Sequence, residues 1–153
     1  MIEFREMTLS DFDDEQFINS LFNLDFVSKN LSVINIRNIF ETKRSSTDTY
    51  IVVDTEKNQI IGHVAICAHY SFNCGIIGAM YDMSIDPSYR GQGIGKQLLF
   101  YARQKSGEKR KLTCLCGPVD QVGYALYSNI AKEDPKKSFF TYFYPKRKKI
   151  SFL

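Results

Sequence analysis

Apolar and polar positions follow two rhythms along this chain, and the change falls near residue 45. Residues 2–6 alternate and predict a short strand. Phe17, Ile18, Leu21 and Phe22 then recur at helical spacing, with Ser10 as the expected N-cap and Asp13 three residues on. A second helical stretch over residues 31–42 carries Val33, Ile34, Ile36, Ile39 and Phe40. Beyond it the period shortens. Tyr50-Ile51-Val52-Val53 reads as a strand, Glu56-Lys57-Asn58 as a turn, and residues 60–70 and 76–85 as two further strands, the last ended by Asp86-Pro87. Short connections between successive strands predict an antiparallel meander.

A glycine-rich turn leads into a helix over residues 93–105, with Ile94, Gln97, Leu98 and Tyr101 at helical spacing. Residues 112–116 predict a strand, and Asp120 caps a helix holding Tyr124, Leu126 and Tyr127. A Phe/Tyr-rich strand over residues 138–144 and a short one over residues 150–153 close the pattern. This order describes a mixed, mostly antiparallel α/β sheet of about six to seven strands with about four helices. With no internal repeat and no low-complexity linker, residues 1–153 are expected to form a single domain.

Composition bounds the class. At 44% hydrophobic and 24% charged, the 153 residues suit one domain, which at this size buries roughly 70% of the surface its unfolded chain exposes. No run of 18 apolar residues occurs, and residues 1–7 lack the basic and apolar regions of a secretory signal, so no membrane partner is expected and the cytoplasm is the default compartment. Cys67, Cys74, Cys114 and Cys116 fit no zinc spacing; they read as reduced structural cysteines, and no metal is expected.

The formal charge of +3 is unevenly placed. Residues 1–25 hold seven carboxylates against Arg5 alone, while Lys146-Arg147-Lys148-Lys149 is a basic run near the other end. Such a run is usually a solvated tail, so nucleic acid ranks last among the expected partners.

Chemistry concentrates at Tyr81-Asp82-Met83-Ser84-Ile85-Asp86-Pro87-Ser88-Tyr89-Arg90-Gly91-Gln92-Gly93-Ile94-Gly95-Lys96. Three glycines lie between a strand and a helix, where backbone N–H groups and the helix dipole converge on an anion. A P-loop would need Gly at Arg90 and Ser or Thr at Gln97; a dinucleotide fingerprint begun at Gly91 would need Gly at Lys96. Neither is present. What remains is Arg-x-x-Gly-x-Gly at Arg90, Gly93 and Gly95, after a strand ending Ile-Asp-Pro-x-Tyr.

In this combination and in its order of elements, the chain resembles the GNAT superfamily of acetyl-CoA-dependent N-acyltransferases over nearly its whole length. The resemblance implies acetyl-CoA as cosubstrate, with the pyrophosphate on Arg90, Gly91, Gln92, Gly93, Ile94, Gly95 and Lys96. It implies that the pantetheine arm lies along Met83, Ser84 and Ile85, the Ile85 amide serving as oxyanion donor. It also implies Tyr127 as general acid and the opening helices as the acceptor side.

The proton acceptor stays open. Many members carry Glu six residues before the Ile85 position, where this chain has Ala79. Tyr81-Asp82 resembles the Glu-Asp step of polyamine-type acetyltransferases with Tyr in place of Glu, which makes Asp82 a candidate base or acceptor contact. His63 and His69 share a strand face by parity and could relay a proton through water.

The function expected is transfer of acetyl to a small-molecule or peptide primary amine, with a homodimer left open. The alternatives are a coenzyme A-binding module without turnover and, last, a nucleic-acid-binding domain using residues 146–149.

Overall fold

The computed structural model describes residues 1–25, 30–72, 75–112 and 114–116. Five strands form one sheet in chain order: β1 (Ile2–Glu6), β2 (Thr47–Asp54), β3 (Gln59–Ser71), β4 (Gly75–Ile85) and β5 (Cys114–Cys116). The first four pair antiparallel as the expected meander, and β5 pairs parallel to β4 through Ile77, Gly78 and Ala79. The helices are α1 (Glu15–Asn19), α2 (Val33–Lys43) and α3 (Ile94–Arg110), with single 3-10 turns at Leu9–Asp13, Ser20–Asn23 and Pro87–Tyr89. The helix expected after Asp120, the strands expected over residues 138–144 and 150–153, Tyr127 and the basic run lie outside the described residues.

Strand β2 is the centre of the fold because it is covered on both faces. Its successive side chains point to opposite sides, so Tyr50 and Val52 join one core while Ile51 and Val53 join another. On the first side α3 contributes Ile94, Leu98, Leu99 and Ala102 against Val64, Ile66, Met80 and Leu115. On the second, Phe12, Phe17, Ile18 and Leu21 pack on Ile51, Val53 and Ile60, with Val33, Ile36 and Phe40 of α2 at the margin. Helix α2 has no fully buried residue, and Ile34 and Ile39 are exposed. It is a cover set loosely over the sheet.

The N-terminal boundaries differ from the expectation. Ser10 caps nothing; it sits inside the 3-10 turn begun at Thr8, whose amide and hydroxyl donate to Asp11 at 2.7 and 3.1 Å. Asp14 caps α1 instead, accepting from the Phe17 amide at 2.9 Å. Helix α2 starts two residues later than expected, where Ser32 accepts from the Asn35 amide. Helix α3 runs on to Arg110, held by an ion-pair network at its end.

Candidate functional site

Strand β4 is interrupted near its end. His63 pairs with Ser84 but Ala65 pairs with Tyr81, so three steps on β4 oppose two on β3, and Asp82 takes up the extra residue with φ +54°. A non-glycine residue in this left-handed region is uncommon, and such strain gathers at functional sites. One consequence is that the neighbours Tyr81 and Asp82 both line the same cavity, which strict alternation would forbid.

The bulge is pinned by His63. Its Nδ1 lies 3.0 Å from the Asp82 carbonyl oxygen. A carbonyl can only accept, so Nδ1 carries the hydrogen. His63 is buried, and that burial pushes the imidazole below its usual range, opposed by the bond to Asp82 and by the Asp82 charge.

Past the bulge the ladder resumes. The Asp86 amide donates to the Ile61 carbonyl at 2.9 Å, which makes that pair hydrogen-bonded and the next pair, Gly62 with Ile85, not. The Ile85 N–H and C=O therefore point away from β3, toward the edge where β5 would continue. Among the described residues β5 pairs with β4 only at positions 77–79. The Ile85 carbonyl is taken by Arg90 Nε at 2.9 Å.

Residues 86–96 then turn the chain into α3. Asp86 accepts from the Ser88 amide and hydroxyl, starting the Pro87–Tyr89 turn. Gly91 and Gly93 have φ of +78° and +77°, conformations that other residues rarely adopt, and Gly93 is the N-cap of α3. The Gln97 amide bonds the Gly93 carbonyl, so the amides of Ile94, Gly95 and Lys96 precede the first intrahelical bond. Together with the helix dipole they form an anion cradle. Among the described residues, a Cβ built on Gly91 meets nothing within 4 Å and one on Gly95 meets Ile85 and Met83 at the ordinary contact distances of 3.5 and 3.7 Å.

The side chains around the cradle divide by role. Ile94 is buried in the core, and Met83 and Ile85 pack against the same core. Arg90 does not point a bare charge at the turn: its guanidinium pairs with Asp25 as well as bonding Ile85, so it fastens strand end, turn and N-terminal segment together. Lys96 Nζ lies 6.0 Å from the Phe100 ring centroid. Gln92 reaches back to the Ser88 carbonyl at 3.5 Å. Ser84 is half-buried beside His63 in the ladder.

On the opposite sheet face a cavity of about 480 Å³ lies between β3–β4 and the N-terminal helices. Its floor includes His63, Ala65, Cys67 and His69, one face of β3, which agrees with the parity read from sequence. Phe12, Leu21, Ile36 and Phe40 form an apolar wall, and Lys43 and Arg44 stand at the end of α2. That cationic pair had no signal in the sequence; only folding brings the end of α2 over β3. Asp82 lines this cavity, and the same strand runs on from it into the glycine turn; residues 83–96 are not among the residues lining the cavity.

The comparisons with known proteins agree with this geometry. A probable glucosamine 6-phosphate N-acetyltransferase of Drosophila melanogaster is 31% identical over 90 residues, which span 56% of this chain and 41% of the fly protein. The crystal structure of glucosamine-6-phosphate N-acetyltransferase from Arabidopsis thaliana matches with a TM-score of 0.71 at 18% identity, over 94% of this chain and 99% of that one. A predicted acetyltransferase of Clostridium acetobutylicum, solved with acetyl-CoA, matches with a TM-score of 0.61 at 19% identity, over 85% of this chain and 88% of that one. Residues 46–135, which run from β2 through the bulge and the anion cradle to beyond β5, match the acetyltransferase (GNAT) domain model, and the chain belongs to that family.

Proposed function

We propose that the protein transfers the acetyl group of acetyl-CoA to a primary amine by direct attack while both are bound. The observation that carries this reading is that one strand, β4, lines the cavity at its strained bulge and then runs directly into the glycine turn at the start of α3. Acetyl-CoA brings an activated thioester; the chain's own groups bind and orient it. The amides of Ile94, Gly95 and Lys96, with the freedom of Gly91 and Gly93, suit a pyrophosphate. Arg90 and Gln92 belong to that turn as its fastening, Arg90 through Ile85 and Asp25 and Gln92 through the Ser88 carbonyl. Met83, Ser84 and Ile85 line the strand edge along which a pantetheine arm would pair. The outward-turned Ile85 N–H is the donor for the thioester oxygen as negative charge develops there, a contribution of about 10²–10³ in rate for one such donor.

Tyr127 is the proposed general acid toward the departing thiolate, by the family resemblance, and Asp82 the acceptor-side carboxylate at the bulge. The acceptor class this cavity favours is an amine that also bears an anionic group. Its apolar wall and the Lys43–Arg44 pair fit such a molecule, and the fly relative's name, a glucosamine 6-phosphate acetyltransferase, offers one example.

The test combines two measurements. Acetyl-CoA is expected to raise the melting temperature, and thiol release is expected to depend on the amine when glucosamine 6-phosphate, spermidine and a lysine peptide are compared. Thermal stabilisation without release from any amine would reduce the protein to a coenzyme-binding module.

A further inference from the structure

The cavity carries charge of both signs, and the strand register sets the two signs apart. Its floor is one face of β3, where His63, Ala65, Cys67 and His69 follow at two-residue steps. His63 pairs with Ser84 and Ala65 with Tyr81, so Asp82, between those partners on β4, stands level with residues 63–65. Toward the other end Cys67 pairs with Thr47 of β2, and the Ala68 amide donates to the Ser46 carbonyl at 2.8 Å. Lys43 and Arg44 come just before that segment, so they reach the cavity from beyond Cys67 and from the β2 side. Asp82 and the cationic pair thus lie diagonally across β3, about four residues apart along it, which on an antiparallel strand is about 13 Å between backbone levels.

Among the described residues no ion pair engages Asp82, Lys43 or Arg44. The nearby Arg110 is placed differently. Its guanidinium pairs with the buried Asp48 at 2.9 Å and also bonds the Ser45 carbonyl and, at 3.2 Å, the Arg44 carbonyl. The backbone that carries the two cations is therefore anchored to the end of α3, while their side chains are exposed. Charges on an anchored backbone lose less freedom when they take a ligand. Phe12, Leu21, Ile36 and Phe40 make the cavity wall apolar, so it accepts carbon and penalises charge away from the two poles.

We infer that Lys43 and Arg44 select the acceptor: they hold an anionic group at its far end while its ammonium lies at Asp82, the pole from which β4 runs on toward the glycine turn. The acceptor is an amine whose phosphate or carboxylate sits on a remote arm with carbon between. Amines that lack the anion, or carry it beside the nitrogen, engage one pole only. A guanidinium matches such an oxyanion with two parallel donors, and the Lys ammonium adds a point charge. This rests on the acetyl-transfer reading and adds no step to it. The two cations touch no reacting atom, so they govern KM for the amine and leave kcat alone.

Calorimetry on the protein, alone and with coenzyme A in place of acetyl-CoA, reads the binding with nothing turning over. The probes are aminohexyl phosphate, hexylamine with the same chain and no anion, and aminoethyl phosphate with the anion close to the amine. Wild-type protein is expected to bind aminohexyl phosphate about tenfold or more tighter than either of the others. In Lys43→Met/Arg44→Met that advantage over hexylamine is expected to vanish, while hexylamine affinity stays within about threefold. The single variants Lys43→Gln and Arg44→Gln are each expected to lose part of it, and they decide the matter if the double variant does not fold. An advantage that survives these substitutions, or equal affinities for the two phosphates, overturns the inference. With acetyl-CoA present, KM for aminohexyl phosphate is expected to rise by the same factor in the double variant at nearly constant kcat. Anion-dependent binding that needs Lys43 and Arg44, with thiol release from no amine, removes the acetyl-transfer reading and supports the anion site. Release that is indifferent to the anion and to both substitutions leaves acetyl transfer standing and overturns the role of Lys43 and Arg44.

Discussion

The Tyr89 hydroxyl donates to Asp54 Oδ2 at 2.7 Å and accepts from Lys57 Nζ at 2.8 Å, so the turn leading into the anion cradle is fastened to the hairpin between β2 and β3. The hydroxyl is the main reason the Asp54 carboxyl is held below its usual range and the Lys57 ammonium above its own. Arg90 supplies the second fastening, from the other end of the same turn, through Ile85 and Asp25. The turn proposed to take the pyrophosphate is thereby held at both ends, and a site held in place costs less to order on binding.

Tyr89→Phe removes the hydroxyl and little volume. The turn loses one of its two attachments, but no group placed at the reacting atoms is touched. The expected outcome in steady-state kinetics is a KM for acetyl-CoA raised severalfold with kcat nearly unchanged. A fall in kcat at an unchanged KM would mean that the hydroxyl serves chemistry instead of positioning.

Gly95→Ala separates stability from binding. Gly95 lies in the first turn of α3, and among the described residues a Cβ there meets Ile85 and Met83 at ordinary contact distance. The fold is therefore expected to gain about 0.5–1 kcal/mol from the replaced glycine, seen as a higher melting temperature. We propose that a pyrophosphate approaches the backbone at this position, where an added methyl crowds it. Coenzyme A affinity is expected to weaken by tenfold or more by calorimetry. Stronger or unchanged affinity would remove the cradle from residues 91–96.

The strand meander and the glycine turn were legible because each depends on local pattern. The β-branched runs of β2 and β3, the Glu56-Lys57-Asn58 turn and the Asp86-Pro87 stop each follow from nearest neighbours. The features that build the site do not. The bulge at Asp82 arises from the register between β3 and β4, and nothing in Tyr81-Asp82-Met83 marks a position with positive φ. The Arg90–Asp25 pair joins residues 65 apart, and sequence reading assigned Arg90 to the coenzyme. The start of α1 was misplaced for a different reason. Thr8, Ser10 and Asp14 all have capping chemistry, and only the packing of Phe12 and Phe17 on the sheet decides among them. His63 was visible by parity as a cavity residue, but its tautomer depends on a carbonyl 19 positions away.

The last prediction concerns acid stability, away from the cavity. Asp48 is buried at the start of β2, where Ser106 donates to it at 2.6 Å, Lys109 lies at 2.9 Å and Arg110 at 2.9 Å. Arg110 also bonds the carbonyls of Arg44 and Ser45, so this network locks the end of α3 to the segment between α2 and β2. Burial alone would raise the Asp48 carboxyl, but the bonds from Arg110, Ser106 and Lys109 outweigh it and hold it below its usual range. A carboxyl that titrates lower in the folded chain than in the unfolded one adds stability above the unfolded value of about 3.9, and that stability is lost as pH falls through the folded value. Asp48→Asn leaves two cations without their shared anion, and breaking a buried pair of this kind costs about 3 kcal/mol. At this chain length that corresponds to a melting temperature lower by roughly 10 °C at pH 7. The gap between variant and wild type is expected to narrow once pH falls below the unfolded value of about 3.9, and to go on narrowing as pH falls through the lower folded value. Melting curves recorded at unit pH intervals check this, and a gap that stays constant to pH 2 would show that Asp48 contributes by packing and not by charge.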